Sequence, residues 1–271
     1  MSRAKPIRVH LIAGGYPPGS FAGHDMDYVR LRLLGMLEEN GQLLTTTAND
    51  YADVAKWLPG SSFLITYVAG PYPNEEQNDF IRDWLEAGGR WLALHGTSGG
   101  KAERVEGMRS RRTVKSAHHA LLGSYFLTHP PIRKFRVDVV DRDHPIARGI
   151  GASFEVDDEP YFVELQDPGS TRVLLTAEYG PDAVSPSIGT IYPSDTSLQA
   201  DGRTRVLGYT REVGNGGVTY FALGHCHNPA IRAARGADAA DPTPATFHGA
   251  WDVDAFTILL RNTLAWATKG R

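Results

Sequence analysis

The sequence contains very little cysteine, since Cys226 is the single thiol among 271 residues. One thiol cannot form an internal disulfide, which excludes a small secreted domain held by disulfides and favours a reducing, cytoplasmic location. Long apolar runs are also absent, and the first residues lack the apolar segment and cleavage site of a signal peptide. We therefore expect no membrane partner.

An excess of charge of either sign is absent as well, because 28 Lys and Arg residues oppose 31 Asp and Glu residues, for a net charge of -3. This balance gives no electrostatic reason to bind nucleic acid or an anionic membrane. There is no internal repeat. We expect a single domain over residues 1–271, with loop excursions at 181–203 and 233–249, and nothing excludes a homo-oligomer.

Strands and helices alternate in the first hundred residues. We predict strands at residues 8–13, 43–47 and 63–68 and again before His95, the first of them an apolar run of the buried parallel kind. Asp25 is placed to cap one intervening helix, and Asn74 with Gln77 forms a capping box at the start of another. This order predicts an α/β fold with a doubly wound, mostly parallel sheet and helices on both faces.

The second half of the chain is less regular. We predict a helix over residues 117–126 and a hairpin of two strands, 205–210 and 218–223, joined by the glycine-rich turn 214–217. The apolar spacing of residues 252–268 is typical of an amphipathic helix that closes the chain.

The most informative stretch is 88–96, where a glycine pair ends a helix and a buried strand runs to His95 and Gly96. Ligands bind at the carboxyl ends of strands in a parallel sheet, and a glycine after the strand tip permits a tight turn that pushes the preceding side chain into the cleft. Hydrolases and amidotransferases place Ser or Cys at such an elbow. Here the position holds histidine, which either contributes to a site or hydrogen-bonds its own turn in the core.

Two further histidines fall at comparable places. His24 follows the loop after the first strand, and His225 follows the last strand of the predicted sheet. If the strands are parallel, these two residues and His95 converge on one cleft, and Glu159 can enter it from the middle of the chain.

Histidines with a carboxylate are the ligands that Zn²⁺, Mn²⁺ or Fe²⁺ prefer, so His24, His95 and His225 are candidate metal ligands. The same set without a metal can supply a general acid and base, because histidine titrates near neutral pH. The spacing is long-range and matches no compact metal-binding motif.

The acidic run Asp157, Asp158 and Glu159 has two interpretations. It is either a solvated loop or a partly buried one, since Tyr161 and Phe162 follow directly. A carboxylate beside buried aromatic rings has a raised pKa, which suits an acid or a base.

Cys226 lies between His225 and His227 and therefore resembles a nucleophile with its base. Sequence neighbours on an extended segment point in opposite directions, so the flanking rings are poorly placed to activate the thiol. We expect a small buried residue.

Several segments occur in the order seen in ThuA-like proteins, the trehalose-utilisation relatives of the class I glutamine amidotransferase superfamily. They are 92–96, 122–126 with 129–130, 143–149, 158–161 and 218–225, together with His24 and the terminal helix. The resemblance covers nearly the whole chain, and the long segments 181–203 and 233–249 depart from it. It implies a flavodoxin-like sheet in which His95 lies near the place of the lost cysteine nucleophile and His225 at that of the catalytic histidine.

The resemblance also implies a role in the metabolism of trehalose or related keto sugars. Our first hypothesis is a hydrolase, lyase or isomerase acting on a glycoside or its keto derivative, with His95, Glu159 and His225 as the catalytic residues. The expected substrate-binding residues are His24, His129, Asp158 and Tyr161. The second hypothesis is a non-catalytic sugar-binding or regulatory protein on an amidotransferase-like scaffold. The third, a glutamine amidotransferase, is disfavoured because the elbow lacks a thiol.

Overall fold

The computed structural model of the chain describes residues 6–15, 23–106, 111–181, 192–234 and 242–268. The strands within these residues are β1 (Ile7–Gly14), β2 (Leu43–Ala48), β3 (Phe63–Val68), β4 (Arg90–Leu94), β5 (Ala102–Arg104), β6 (Arg111–Thr113), β7 (Ser124–Thr128), β8 (Arg133–Val139), β9 (Ser153–Asp158), β10 (Phe162–Leu165), β11 (Thr171–Glu178), β12 (Thr204–Val213) and β13 (Gly216–Phe221). The helices are α1 (Met26–Glu38), α2 (Val54–Trp57), α3 (Glu75–Glu86), α4 (Ala117–Leu122), α5 (Pro229–Ala234) and α6 (Asp254–Thr268).

Nine of these strands form one sheet in the order β2-β1-β3-β4-β13-β12-β11-β8-β9. The strands from β2 to β13 are parallel to their neighbours, and the strands from β12 to β9 extend the sheet in antiparallel pairs. The predicted α/β class is confirmed. The parallel half places the carboxyl ends of β1, β4 and β13 along one edge, where a ligand site is expected.

The core lies between this sheet and its helices. All six residues of β3 are buried, as its apolar run predicts for a central parallel strand. Helix α1 buries Val29, Leu33 and Leu37, and α6 buries a stripe that includes Leu259 and Leu260. The packing of α1 fixes the position of the segment before it, which carries His24 at the carboxyl edge of the sheet.

The predicted helix boundaries in the first half are confirmed. The Asp25 side chain accepts a hydrogen bond from the backbone N–H of Tyr28 at the start of α1. Asn74 and Gln77 form the reciprocal capping box of α3. The following Gly88 has a φ of 114°, a conformation that favours glycine and turns the chain towards β4.

The predicted helix over residues 117–126 is wrong in its second half. Helix α4 ends at Leu122, and Gly123 adopts a φ of 97° that ends the helix. Ser124–Thr128 then pairs with β10 as an antiparallel strand. Strand pairing with a segment about forty residues further along the chain overrides the local helical pattern.

The two predicted excursions are only partly described, since residues 182–191 and 235–241 lie outside the described residues. In the first excursion Ser197 is buried, and Asp195 pairs with the buried Arg205 on β12. In the second, His227 and Phe247 exchange two backbone hydrogen bonds of 2.8 and 2.9 Å. The described parts of both segments are therefore tied to the sheet.

We predict that Asp195→Asn destabilises the fold by roughly 2–3 kcal/mol, because it leaves the buried Arg205 guanidinium without a counter-charge. The two Arg205 amino groups lie 3.0 and 2.7 Å from the Asp195 oxygens, and the guanidinium packs 3.9 Å above the Phe162 ring. Urea denaturation measures the loss. Glu178→Gln, which removes an exposed partner of Arg203, is the control. Equal effects of the two substitutions would contradict the assignment.

Candidate metal centre

The elbow at the end of β4 is a tight 3₁₀ turn over residues 95–98. His95 has a φ of 42° and is the one non-glycine residue with positive φ among the described residues. A Cβ on Gly96 would lie 2.4 Å from the carbonyl oxygen of Val68, so only glycine fits there. Strained backbone of this kind persists where the surroundings hold it in place, which is common at functional sites.

The structure brings together the four side chains that the sequence placed at the sheet edge. His24 lies beside the start of α1, His95 follows β4, Glu159 follows β9 and His225 lies beyond β13. All four are buried, and one potential ligand atom from each lies within 4.8 Å of the others. The sequence alone placed Glu159 in this cleft only as a possibility, and the structure places it there.

The tautomer of His95 follows from its contacts. Its Nδ1 lies 2.8 Å from the carbonyl oxygen of Ala222, which can only accept, so Nδ1 carries the hydrogen. A neutral ring then presents the lone pair of Nε2, which lies 3.1 Å from Nε2 of His24. In tetrahedral zinc sites neighbouring ligand atoms are about 3.3 Å apart, so this spacing suits two ligands of one ion.

Glu159 lies between two histidines. Its Oε1 is 3.3 Å from Nδ1 of His225 and 3.2 Å from Nδ1 of His129. His129 thus lies next to the four-residue group without belonging to it. Its Nδ1 is also 3.1 Å from the carbonyl oxygen of Pro130.

An aromatic wall borders the centre. The Tyr161 ring lies 3.9 Å from the His95 ring and 4.3 Å from the Phe126 ring, between centroids. The Tyr161 hydroxyl is 3.4 Å from Nε2 of His24. Tyr161 is therefore adjacent to the four-residue group.

Asp158 has different contacts from those expected of a substrate-binding residue. Its oxygens accept hydrogen bonds from the backbone N–H groups of Glu159, Gly224, His225 and Ala250, at 2.7 to 3.2 Å. Burial raises the pKa of Asp158 to about 7, and the four N–H groups oppose this shift. The carboxylate joins three chain segments beneath the centre, and its oxygens are already engaged by the backbone.

His227 also contacts the centre, although no sequence motif singled it out. Its Nδ1 lies 3.3 Å from Nε2 of His225, and its Nε2 lies 2.9 Å from the carbonyl oxygen of Pro244. The available signal was the alternation of an extended segment, which puts residues 225 and 227 on one face. The same rule separates Cys226, whose Sγ is 3.6 Å from the carbonyl oxygen of Asp25.

Two histidines on α4 support the elbow from behind. His118 donates from Nε2 to the carbonyl oxygen of Thr97 at 2.7 Å, and His119 donates to that of Gly99 at 3.0 Å. Burial lowers the pKa of His118 to about 3 and that of His119 to about 4. Both rings are therefore neutral near pH 7, and their hydrogen bonds hold the backbone of the turn in place.

We predict that His118→Gln weakens the acid sensitivity of the fold. The folded pKa of His118, about 3, lies below the usual value, so the unfolded chain binds the extra proton between about pH 6.5 and 3. The stability that the neutral ring contributes is present above this window and is lost as the pH falls through it. Glutamine keeps an N–H for Thr97 but does not titrate. Thermal midpoints of the variant and the wild type at about pH 7 and about pH 4.5 test this. An equal drop in midpoint between the two pH values for both proteins would contradict it.

No helix within the described ranges is both long and apolar enough to cross a membrane. The mixed sheet, with its parallel half and flanking helices, defines a flavodoxin-like α/β protein. The turn at the end of β4 carries histidine in this chain.

Residues 22–233 match the model of the ThuA family, described as trehalose utilisation. The chain belongs to this family, which has a carbohydrate-related role. No curated protein matches the sequence.

Solved structures show the same fold. A protein described as ThuA-like from Bacteroides uniformis ATCC 8492 is 16% identical, with a TM-score of 0.60 over 100% of this chain and 95% of that one. A second from Parabacteroides merdae ATCC 43184 is 18% identical, with a TM-score of 0.59 over 97% and 91%. The β-galactosidase from Rahnella sp. R3 is 14% identical, with a TM-score of 0.50 over 82% of this chain and 29% of its own. At these identities the likeness shows the fold alone.

Proposed function

We propose that the protein is a metal-assisted enzyme of sugar metabolism that acts on the keto derivative of a disaccharide or glycoside. The observation that carries the proposal is the buried group formed by His24, His95, Glu159 and His225. Neutral imidazole and carboxylate are donors that suit Zn²⁺, Mn²⁺ and Fe²⁺. When bound, such an ion would act as a Lewis acid on a substrate carbonyl.

The roles follow from the contacts. We assign His24, His95 and His225 to hold the ion. We assign Glu159 as the general base, because its carboxylate lies close to this group of histidines and also to His129. His129 is placed to exchange a proton with Glu159 over 3.2 Å. The partly exposed Phe126 ring, which packs 4.3 Å from the buried Tyr161 ring, offers a face against which the C–H groups of a sugar can pack.

The chemistry balances for a 3-keto glycoside. Glu159 takes the proton from C2, next to the carbonyl, and the C–H electron pair becomes the double bond as the carbonyl oxygen gains charge. When the carbonyl re-forms, a C1–C2 double bond forms and the glycosidic C1–O bond breaks. The leaving oxygen then takes a proton delivered through His129. Return of the proton without C–O cleavage gives isomerisation.

The test begins with tag-free protein, analysed for metal by elemental mass spectrometry and incubated with a 3-keto glycoside in D₂O. We expect near-stoichiometric metal, release of the aglycone, and deuterium at C2 of the recovered keto glycoside, where the proton returns before the C–O bond breaks. Glu159→Gln should slow the exchange on the order of 10²–10⁴-fold. Glu155→Gln, on an exposed position of β9, is the matched control and should exchange normally.

Each other outcome identifies an alternative. Saturable sugar binding without conversion would replace this proposal with a non-catalytic sugar-binding protein. Protein without metal that still converts the substrate would leave acid–base catalysis by Glu159 and the histidines. Glutamine hydrolysis lost in Cys226→Ser would indicate an amidotransferase, but Cys226 is fully buried and burial raises its pKa to about 12.

A further inference from the structure

We propose that His227 is a positioning residue, which fixes the tautomer of His225 so that its Nδ1 faces the candidate metal centre. The inference rests on the metal centre of the proposed function. It adds a residue outside that centre and ties the centre to the segment formed by residues 242–249.

The carbonyl group of Pro244 can only accept a hydrogen bond. Nε2 of His227 lies 2.9 Å from the carbonyl oxygen of Pro244, so this nitrogen carries the hydrogen. In the neutral ring Nδ1 of His227 then has a lone pair. Nε2 of His225 lies 3.3 Å from it and must donate.

The hydrogen on Nε2 of His225 leaves the lone pair on Nδ1. That atom faces Glu159, whose Oε1 is 3.3 Å away. An imidazole lone pair and a carboxylate oxygen are both acceptors, so both are satisfied only when a cation or a proton lies between them. The chain of contacts from Pro244 thus prepares Nδ1 of His225 to bind a cation, just as the Ala222 carbonyl prepares Nε2 of His95.

The backbone holds His227 in place. Its N–H donates to the carbonyl of Phe247 at 2.8 Å, and the N–H of Phe247 donates back at 2.9 Å. The two rings stack with centroids 5.6 Å apart. The backbone of Gly249 packs directly against that of His225, because a Cβ on Gly249 would lie 2.7 Å from the carbonyl oxygen of His225.

The consequence is a measurable contribution to metal affinity. Partners that orient a metal-ligating histidine typically contribute 10–100-fold to affinity. Without His227, the His225 ring is free to adopt the opposite tautomer, in which Nδ1 carries a hydrogen and cannot bind the ion. Docking of residues 242–249 and metal binding should therefore favour each other.

The first test measures Zn²⁺ affinity by competition with a chromogenic chelator. We expect His227→Phe, which removes both nitrogens, to raise the dissociation constant by roughly 10–100-fold. His227→Asn places an amide oxygen near the position of Nδ1 and should recover much of the affinity. Phe247→Leu removes the ring stacking but keeps the hydrogen-bond chain and should stay close to wild type.

The second test uses unsubstituted protein and does not depend on how a variant folds. With ¹⁵N-labelled histidine and ¹¹³Cd²⁺, we expect cadmium to couple to Nδ1 of His225 and to Nε2 of His95. Coupling through Nε2 of His225, or unchanged affinity in His227→Phe, would overturn this inference and leave the metal centre standing. Failure of wild-type protein to bind Zn²⁺ or Cd²⁺ would overturn both.

Discussion

Replacing His95 by glycine is expected to raise the dissociation constant for Zn²⁺ by on the order of 10³-fold or more, with turnover lost in parallel. Removing a residue that merely orients a ligand already costs 10–100-fold, so removing a ligand should cost more. Some folding stability should be lost as well. At a φ of 42°, glycine relieves the strain that histidine bears, which offsets part of the packing lost with the buried ring.

His95→Ala separates these two contributions. Alanine also removes the ligand but keeps a Cβ in the left-handed region, so we expect it to be less stable than the glycine variant by about 1 kcal/mol. Metal content and thermal midpoints of both variants give the comparison. His10→Asn is the control, because His10 is a buried histidine on β1 whose Nδ1 bonds Thr46 instead of the centre. Full metal content in His95→Gly would exclude His95 as a ligand.

Asp158→Ala should destabilise the fold by about 4 kcal/mol or more. Four backbone N–H groups lose their acceptor, and each buried unsatisfied donor costs about 1–3 kcal/mol before water enters the cavity. Metal affinity should fall as well, because the same carboxylate accepts hydrogen bonds from the backbone N–H groups of Glu159 and His225 and so fixes their positions. Glu159 and the ligand His225 both move when their anchor is removed.

Denaturation in urea and zinc competition measure the two effects of Asp158→Ala. Asp158→Asn should lie between the variant and the wild type, since its amide oxygen still accepts while its amide nitrogen faces N–H donors. Asp157→Ala changes an exposed neighbour on the same strand and should change stability little. A wild-type stability for Asp158→Ala would show that water replaces the carboxylate and that the anchor is dispensable.

The turn after β4 carries histidine at a position where nucleophile elbows carry serine or cysteine. The tight turn projects its side chain to the same edge as the loops after β1 and β13. With a thiol the turn would present a nucleophile, and with His95 it presents one donor of a group of four. The scaffold positions side chains, and their identity decides the reaction.

Much of the site could be predicted from the sequence. Apolar runs indicated the strands β1, β3 and β4. The capping residues of α1 and α3 could be read from a few neighbouring residues, and the glycine after His95 indicated the elbow. Since parallel strands end on one edge, the convergence of His24, His95 and His225 followed from strand order, which depends on patterns within a few residues of each histidine.

The remaining contacts depend on register between segments that are distant in the chain. Asp158 meets Gly224 and Ala250, His227 meets Pro244, and the predicted helix gives way to β7 at residue 124 because β10 pairs with it. No local pattern encodes such partners, because a hydrogen bond forms only where tertiary packing brings donor and acceptor within about 3 Å. The sequence by itself therefore determined which residues reach the sheet edge, and only the tertiary structure decided which atoms they turn towards one another.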